Sequence, residues 1–182
     1  MSTLTTGRTQ LKPLTVDHAP LLWELIDGNR EHLKPSFPYT VREVVSEATA
    51  AEWLQKRVSE WDAGQNYYRG IFDGATLMGM IALKRNYTGA PMGELSYYLG
   101  KQWTGKGIMT EALEALIHWA YYQAHVHVLY LRTATNNTAS NRVAEKLGFR
   151  LEKEVPLGLE FPDGSVDMYF YMRTISGPLP AH

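Results

Sequence analysis

The stretch LGKQWTGKGIMTEALEALIHWA, residues 99–120, restricts the fold of this 182-residue chain more than any other segment. An alternating apolar pattern typical of a strand leads into it, and apolar residues at helical spacing follow, so it predicts a strand, a glycine-containing loop and a helix. Three glycines and two lysines lie within residues 99–107. Because glycines let backbone N–H groups approach a ligand and a helix N-terminus favours negative charge, the loop predicts a site for a phosphate compound.

Two known phosphate motifs fit this loop only in part. Gly100, Gly105 and Lys106 match the G-x-x-x-x-G-K of a nucleoside-triphosphate loop, but Gly107 stands where Ser or Thr must reach magnesium. The next predicted strand, VLYLRT, offers no metal-binding Asp. A dinucleotide fingerprint would need a third glycine where Thr110 stands. A third pattern, Q-x-x-G-x-G, is met in full by residues 102–107.

Composition limits the class of partner. Lys and Arg total 18 against 19 Asp and Glu, so the net charge of −1 gives no basic excess for nucleic-acid binding. The chain contains no cysteine, which excludes disulfides, thiolate metal ligands and a cysteine nucleophile. No apolar run approaches the length of a membrane span, and the N-terminus lacks the apolar region of a signal peptide. We expect a cytoplasmic protein with one domain over 1–182, a core over about 9–174 and a mobile tail over 175–182.

The remaining patterns predict alternating strands and helices. TQLKPL indicates a first strand, and a helix capped by Thr15 or Asp17 follows to about Arg30. The apolar spacing of residues 41–61 predicts one further helix. NYYRGIF, LMGMIAL and MGELSYYL then indicate three strands, the first two joined by the turn DGAT.

After the glycine loop and its helix, VHVLYLRT indicates a strand. A helix capped by Asn137 and stopped by Gly148 comes next, and SVDMYFYM supplies the last strand. The order β, α, α, β, β, β, α, β, α, β predicts an α/β (α+β) domain. An antiparallel meander joins a βαβ unit, so the central sheet is mixed, mostly antiparallel, and flanked by helices.

Two segments together resemble the GNAT superfamily of acetyl-CoA-dependent N-acetyltransferases. The first is the Q-x-x-G-x-G loop, and the second, about 30 residues later, is NNTASNRVAEKLGF, in which an Asn precedes a helix that ends in Gly-Phe. The resemblance extends from LKPL to DMYFYM. With NREHLKPSFPY and GELSYYLGKQWTGKGIMTEA, it is closest to the ribosomal-protein N-terminal alanine or serine acetyltransferases.

The resemblance implies acetyl-CoA as co-substrate, no metal, and direct contact with neither nucleic acid nor membrane. It leaves a homodimer open. Asn137 is expected to hydrogen-bond the pantetheine arm or the loop facing it, and a backbone N–H near Leu99 to bind the acetyl carbonyl. The expected cofactor residues are Leu99, Gln102, Trp103, Thr104, Gly105, Lys106, Gly107, Ile108, Asn137 and Ser140.

Acetyl transfer needs a neutral amine, a stabilised oxyanion and a proton for the departing thiolate. Without cysteine, direct attack is favoured over an acetyl-enzyme. Deprotonation at pH 7 costs about 1 kcal/mol for an α-amine but about 4.6 kcal/mol for lysine, so an N-terminal amine needs only a weak base. Glu94, on the strand before the loop, and Glu160, in a turn-rich segment, are equal candidates for that base.

The candidate proton donor departs from the usual family pattern. Many GNAT enzymes place a Tyr four residues before the Gly of Gly-Phe, but here that position is Ala144. This favours Ser140, on the same predicted helix, as the group that hydrogen-bonds or protonates the CoA sulfur. A helix-start residue is its other plausible role.

The sequence thus predicts an N-acetyltransferase acting on a protein N-terminal α-amine, such as that of a ribosomal protein. A small-amine or antibiotic acetyltransferase is an alternative within the class. A non-catalytic acyl-CoA-binding or sensing domain is the alternative outside it.

Overall fold

The computed structural model describes residues 2–85, 91–162 and 164–176. Eight strands are present in these ranges: β1 Leu4–Thr5, β2 Gln10–Pro13, β3 Asn66–Asp73, β4 Thr76–Arg85, β5 Met92–Leu99, β6 Val128–Ala134, β7 Arg150–Phe161 and β8 Gly164–Thr174. Six α-helices accompany them: α1 Ala19–Asp27, α2 Arg30–Leu33, α3 Pro38–Glu43, α4 Glu47–Asp62, α5 Ile108–Tyr122 and α6 Thr138–Lys146. Short 3-10 turns span Val16–His18 and Lys101–Trp103.

The strands form one mixed sheet in the order β1-β2-β3-β4-β5-β6-β8-β7. Its pairs are antiparallel except for β5 and β6, which run parallel and are joined by the α5 crossover. The predicted class, a mostly antiparallel mixed sheet flanked by helices, is therefore confirmed. Among the described helices, none is both long and apolar enough to cross a membrane.

Side chains of the strands pack into two apolar layers, one on each face of the sheet. On β4, Met78, Ile81 and Leu83 contact the layer that contains α5 and α6. Leu77 and Met80 contact the layer that contains α1 and α4. Because β4 is covered on both faces, its pattern is almost continuously apolar, with seven successive buried residues.

The predicted helix over 41–61 is wrong as a single element. It is two helices, α3 and α4, because Val44 leaves the helical conformation with ψ of 88° and Ser46 caps a new helix. Ser46 Oγ accepts a hydrogen bond from Thr49 N at 3.2 Å, and Thr49 Oγ1 accepts from Ser46 N at 3.0 Å. This reciprocal cap outweighs the continuing apolar spacing.

Two strands were missed by the sequence prediction. β1 is only two residues long, and β7 is exposed over most of its length, so neither shows the apolar alternation that identifies a strand. β7 forms because it pairs with β8 along nearly its whole length. At the C-terminus, Ile175 is buried and its N–H donates to His127 O, whereas residues 177–182 of the predicted tail lie outside the described residues.

Candidate active site

The glycine loop lies between the end of β5 and the start of α5, as predicted. Gly105 and Gly107 adopt φ of 73° and 78°, a left-handed conformation that strongly favours glycine. Gly107 is the N-cap of α5, and no side chain in the described part of the chain caps the helix. The N–H groups of its first turn are therefore open to an anion, with the positive end of the helix dipole behind them.

A buried amide that the sequence analysis overlooked holds this loop in place. Asn29 Oδ1 accepts a hydrogen bond from Lys101 N at 2.7 Å, and Asn29 Nδ2 donates to Leu25 O at 2.9 Å. The loop entry is thus tied to the end of α1. The signal was present in the sequence, since Asn29 is the first residue of the family-like segment NREHLKPSFPY.

Beside the loop, the sheet opens into a wedge. The β5–β6 register covers only Met92 to Glu94 of β5, after which β5 pairs with β4 alone and β6 pairs with β8 alone. Gly100 N donates to Met78 O of β4, so strand alternation turns the Leu99 N–H away from β4 and into the wedge. A linear, amide-containing ligand could occupy this opening.

Two cavities meet at the wedge. The cofactor-side cavity, of about 170 Å³, borders the glycine loop, and the acceptor-side cavity, of about 730 Å³, extends to β7. The residues that line both are Ser36, Phe37, Tyr97, Asn137 and Ser140. A group bound in one cavity can therefore reach a group bound in the other at this junction.

The expected cofactor residues are brought together only in part. Leu99, Thr104, Gly105, Asn137 and Ser140 line the cofactor-side cavity. Gln102, Lys106 and Gly107 are exposed on the loop outside it, and Ile108 is buried in the core, so only its backbone N–H could serve. Trp103 packs against the α5 layer with the Lys106 ammonium 5.2 Å from its ring centre.

Asn137 is the N-cap of α6, as predicted, and it also forms a hydrogen bond across the junction. Its Oδ1 accepts a hydrogen bond from Ser140 N at 3.1 Å, which makes it the N-cap. Its Nδ2 donates to Ser36 Oγ at 3.3 Å, which connects α6 to the segment between α2 and α3. One amide thus spans the junction between the cavities.

A second buried amide fixes the α6 turn to β6. Asn141 Oδ1 accepts a hydrogen bond from Thr133 Oγ1, and its Nδ2 donates to Thr135 O at 3.0 Å. Ala144 is fully buried against the core. The position that holds a phenol in many relatives is therefore a packing position in this chain.

The two candidate bases lie in contrasting environments within the acceptor-side cavity. Glu94 accepts hydrogen bonds from Arg132 Nε and Nη2, each at 3.0 Å, so its carboxylate is held by a two-point ion pair. Lys84 lies opposite it on β4, and Glu94 raises the pKa of that amine against the larger lowering effect of burial. Both oxygens of Glu94 therefore already lie within reach of a cation.

Glu160 is placed differently from the sequence expectation. It belongs to strand β7, where it pairs with Ser165, and not to a turn-rich segment. Its side chain is exposed at the cavity, and no hydrogen bond or ion pair engages it within the described ranges. Of the two carboxylates, it is the one available to accept a proton.

Next to Glu160, β7 departs from its register in a bulge, which we define as residues 156–158. Leu157 has φ of 51° and is 64% exposed, and its N–H donates to Asp167 Oδ1 at 3.0 Å. The bulge lines the acceptor-side cavity together with Phe37 and Pro38. An apolar side chain is therefore held at the mouth of the acceptor-side cavity.

A further residue at the junction was missed by the sequence analysis. Tyr97 lies on the same face of β5 as Leu95 and Leu99, towards α5 and α6, and its hydroxyl is buried without a hydrogen-bond partner in the described part of the chain. Burial raises its pKa to about 12, and a nearby Ser140 opposes that effect.

Within the described residues, no group of three or more His, Asp or Glu comes together as a metal site would require.

Comparison with known proteins agrees with this geometry. The model of the acetyltransferase (GNAT) domain matches residues 8–150. The ribosomal-protein-serine acetyltransferase of Escherichia coli (strain K12) is 28% identical over 166 residues, covering 91% of this chain and 92% of that protein. The ribosomal protein uS5-alanine N-acetyltransferase of the same organism is 30% identical over 143 residues, covering 71% and 70%.

Solved structures share the whole fold. RimL, a ribosomal-protein α-N-acetyltransferase in complex with coenzyme A, superposes with a TM-score of 0.90 at 21% identity, covering 96% of this chain and 98% of that one. The microcin self-immunity acetyltransferase MccE, in complex with acetyl-CoA and AMP, gives a TM-score of 0.84 at 21% identity, covering 93% of each chain. With the glycine loop, the open wedge and the matching domain model, the chain belongs to the GNAT acetyltransferase family and is an acetyl-CoA-dependent N-acetyltransferase.

Proposed function

We propose that this enzyme acetylates the N-terminal α-amine of a protein, and that the protein is a ribosomal protein. The observation that carries the proposal is the junction at Ser140, where an acceptor-side cavity of about 730 Å³ opens onto the cofactor-side cavity. The larger cavity has room for the first residues of a chain terminus. Relatives named for ribosomal-protein N-acetylation support the choice of acceptor, which would place the reaction in the cytoplasm.

In the proposed complex, the N–H groups at the start of α5 hold the cofactor pyrophosphate. The left-handed glycines at 105 and 107 turn those groups outward. The pantetheine arm lies in the wedge between β5 and β6, beside Asn137. The Leu99 N–H, which faces the wedge, donates to the acetyl oxygen and stabilises the oxyanion.

We assign Glu160 as the base because its carboxylate, at the acceptor-side cavity, has no partner among the described residues, whereas Glu94 is bound by Arg132. Glu160 accepts a proton from the α-ammonium, directly or through one water. Since an α-amine needs only about 1 kcal/mol to deprotonate at pH 7, an exposed carboxylate suffices. The Glu94–Arg132 pair instead maintains the wall of the cavity.

The transfer then needs no acyl-enzyme. The amine lone pair forms the new C–N bond at the acetyl carbon, and the carbonyl electrons move to oxygen. As the carbonyl reforms, the C–S bond breaks and the thiolate leaves. Ser140, in the first turn of α6, hydrogen-bonds the sulfur with the positive end of the helix dipole beside it. The attacking nitrogen loses its extra proton as the amide forms, and the thiolate gains a proton through the Ser140 hydroxyl, which is reprotonated in turn, so that the CoA thiol is completed with no net change in protons.

A panel of amines tests the acceptor. Peptides with free N-terminal Ser or Ala and acetylated lysines, peptides with blocked N-termini and free lysines, polyamines and aminoglycosides would each be incubated with enzyme and acetyl-CoA. CoA release is read with a thiol reagent, for which this cysteine-free protein gives no background. We expect release with the free N-termini. Preferred turnover of lysines, polyamines or aminoglycosides would refute the proposed acceptor.

A further inference from the structure

The hydroxyl of Tyr97 is a buried polar group at the junction that the steps above do not use. Tyr97 lines both cavities and packs against the α5 layer, but its oxygen has no hydrogen-bond partner among the described residues. A buried hydroxyl without a partner is unfavourable and uncommon, so such a group at an active site calls for a function. The question is which group it serves when the substrates are bound.

Ser140 is the polar side chain placed to receive this hydroxyl. Both residues line the same two cavities, and Ser140 lies close enough to lower the pKa of Tyr97 against the effect of burial. Because burial dominates and raises the pKa to about 12, the phenol stays protonated at neutral pH. Tyr97 is therefore a hydrogen-bond donor throughout the working range of the enzyme.

We propose that Tyr97 is a positioning residue whose hydroxyl donates to Ser140 Oγ and thereby directs the Ser140 proton at the departing sulfur. A serine hydroxyl has one proton and two acceptor lone pairs, so a donor on one lone pair restricts where its own proton points. It also strengthens the hydrogen bond that the serine donates. Two hydroxyls, that of Tyr97 on β5 and that of Ser140 on α6, then together provide the proton donor that the resemblance would place at residue 144.

The inference rests on the proposed contact of Ser140 with the sulfur. Tyr68 provides the comparison, because its side chain is also buried but lines neither cavity. It lies in the α1–α4 layer, where its hydroxyl accepts a hydrogen bond from Arg57 Nη1 at 3.0 Å. Removing either hydroxyl changes a buried tyrosine to phenylalanine, but only one of them faces Ser140.

The test is a double-mutant cycle of Tyr97→Phe and Ser140→Ala, with Tyr68→Phe as the control. Steady-state kinetics would use acetyl-CoA and the best amine of the panel, and melting curves would show that each variant is folded. We expect Y97F to lower kcat about tenfold with the KM for acetyl-CoA within twofold, the size of one hydrogen bond made mainly in the transition state. In the S140A background the same change should cost less than twofold, because the two groups act as a unit. Y68F should keep kcat within twofold.

Two results would overturn the inference while leaving the proposed role of Ser140 intact. One is a Y97F enzyme with unchanged kcat. The other is an equal loss of kcat from Y97F in the native and S140A backgrounds, which would indicate that Tyr97 acts independently of Ser140. A native kcat in S140A would instead refute the role of Ser140 itself, and with it the inference.

Discussion

The role of Gly105 in the glycine loop can be tested by a substitution that adds only backbone strain. Gly105 has φ of 73°, and a Cβ built there meets no atom within 4 Å. Replacement by alanine therefore adds no clash. The remaining cost is that of holding an L residue in the left-handed region, about 1–2 kcal/mol.

The chain offers a control with the same geometry at another place. Gly148 has φ of 72° and equally open surroundings, but it ends α6 on the side away from the cofactor loop. Its N–H donates to Glu145 O at 3.0 Å within the helix terminus. Gly148→Ala thus introduces similar strain without touching the predicted phosphate site.

The two substitutions should show their cost in different measurements. We expect Gly148→Ala to lower the free energy of unfolding by about 1–2 kcal/mol and leave the Kd for acetyl-CoA unchanged. The exposed loop at Gly105 can relax in the free enzyme, so Gly105→Ala should have little effect on unfolding. Its strain should appear on binding instead, as a rise in Kd of about 5- to 30-fold, since about 1.4 kcal/mol corresponds to tenfold.

Chemical denaturation and isothermal titration calorimetry with acetyl-CoA measure both quantities on the same proteins. An unchanged Kd in Gly105→Ala would show that binding does not need the left-handed loop. A similar rise in Kd for Gly148→Ala would show that general destabilisation, and not the loop, controls affinity. Either result would refute the assignment of the glycine loop.

Three further outcomes follow from the site. Glu160→Gln should lower kcat/KM at least tenfold at pH values below the pKa of the amine, and the loss of kcat/KM should become smaller as pH rises. Glu94→Gln should chiefly raise the KM of the acceptor. Measuring kcat and KM as a function of pH separates the two effects. Asn29→Ala should lower the free energy of unfolding by about 2 kcal/mol and weaken acetyl-CoA binding. Asn29→Asp keeps the acceptor for Lys101 N, so titration calorimetry should show that it binds acetyl-CoA more tightly than the alanine variant does. Asp167→Ala, which frees the bulge, should raise the acceptor KM severalfold without changing the Kd for acetyl-CoA.

The sequence predicted the elements whose buried side chains follow a regular period. The pattern MGELSYYL corresponds to the full length of β5, and the apolar face after Gly107 corresponds to α5. The failures arose where local hydrogen bonds or pairing decide the structure. The break before α4 was signalled only by Ser46 and Thr49, and β7 exists through its pairing with β8.

The candidate site was predictable where a motif carries a backbone requirement. Gly105, Gly107 and Asn137 could be identified because a left-handed turn and a helix cap restrict residue type. The ion pair of Glu94 could not be predicted from the sequence, because Arg132 lies 38 residues further along the chain and reaches Glu94 only across the β5–β6 pair. The proximity of Tyr97 to Ser140 likewise depends on how α6 packs on the sheet.

The exposed β7 strand has a consequence for how such an enzyme could diverge. The entry of the loop proposed to hold the co-substrate is tied to α1 by the buried amide of Asn29, so changes at that anchor would cost stability. The bulge at 156–158 borders the acceptor-side cavity yet contributes little to either apolar layer. Substitutions in the bulge cost little folding free energy, but they change the surface that an acceptor molecule contacts. New acceptors can therefore be acquired there one mutation at a time, with the acetyl donor and the chemistry left unchanged.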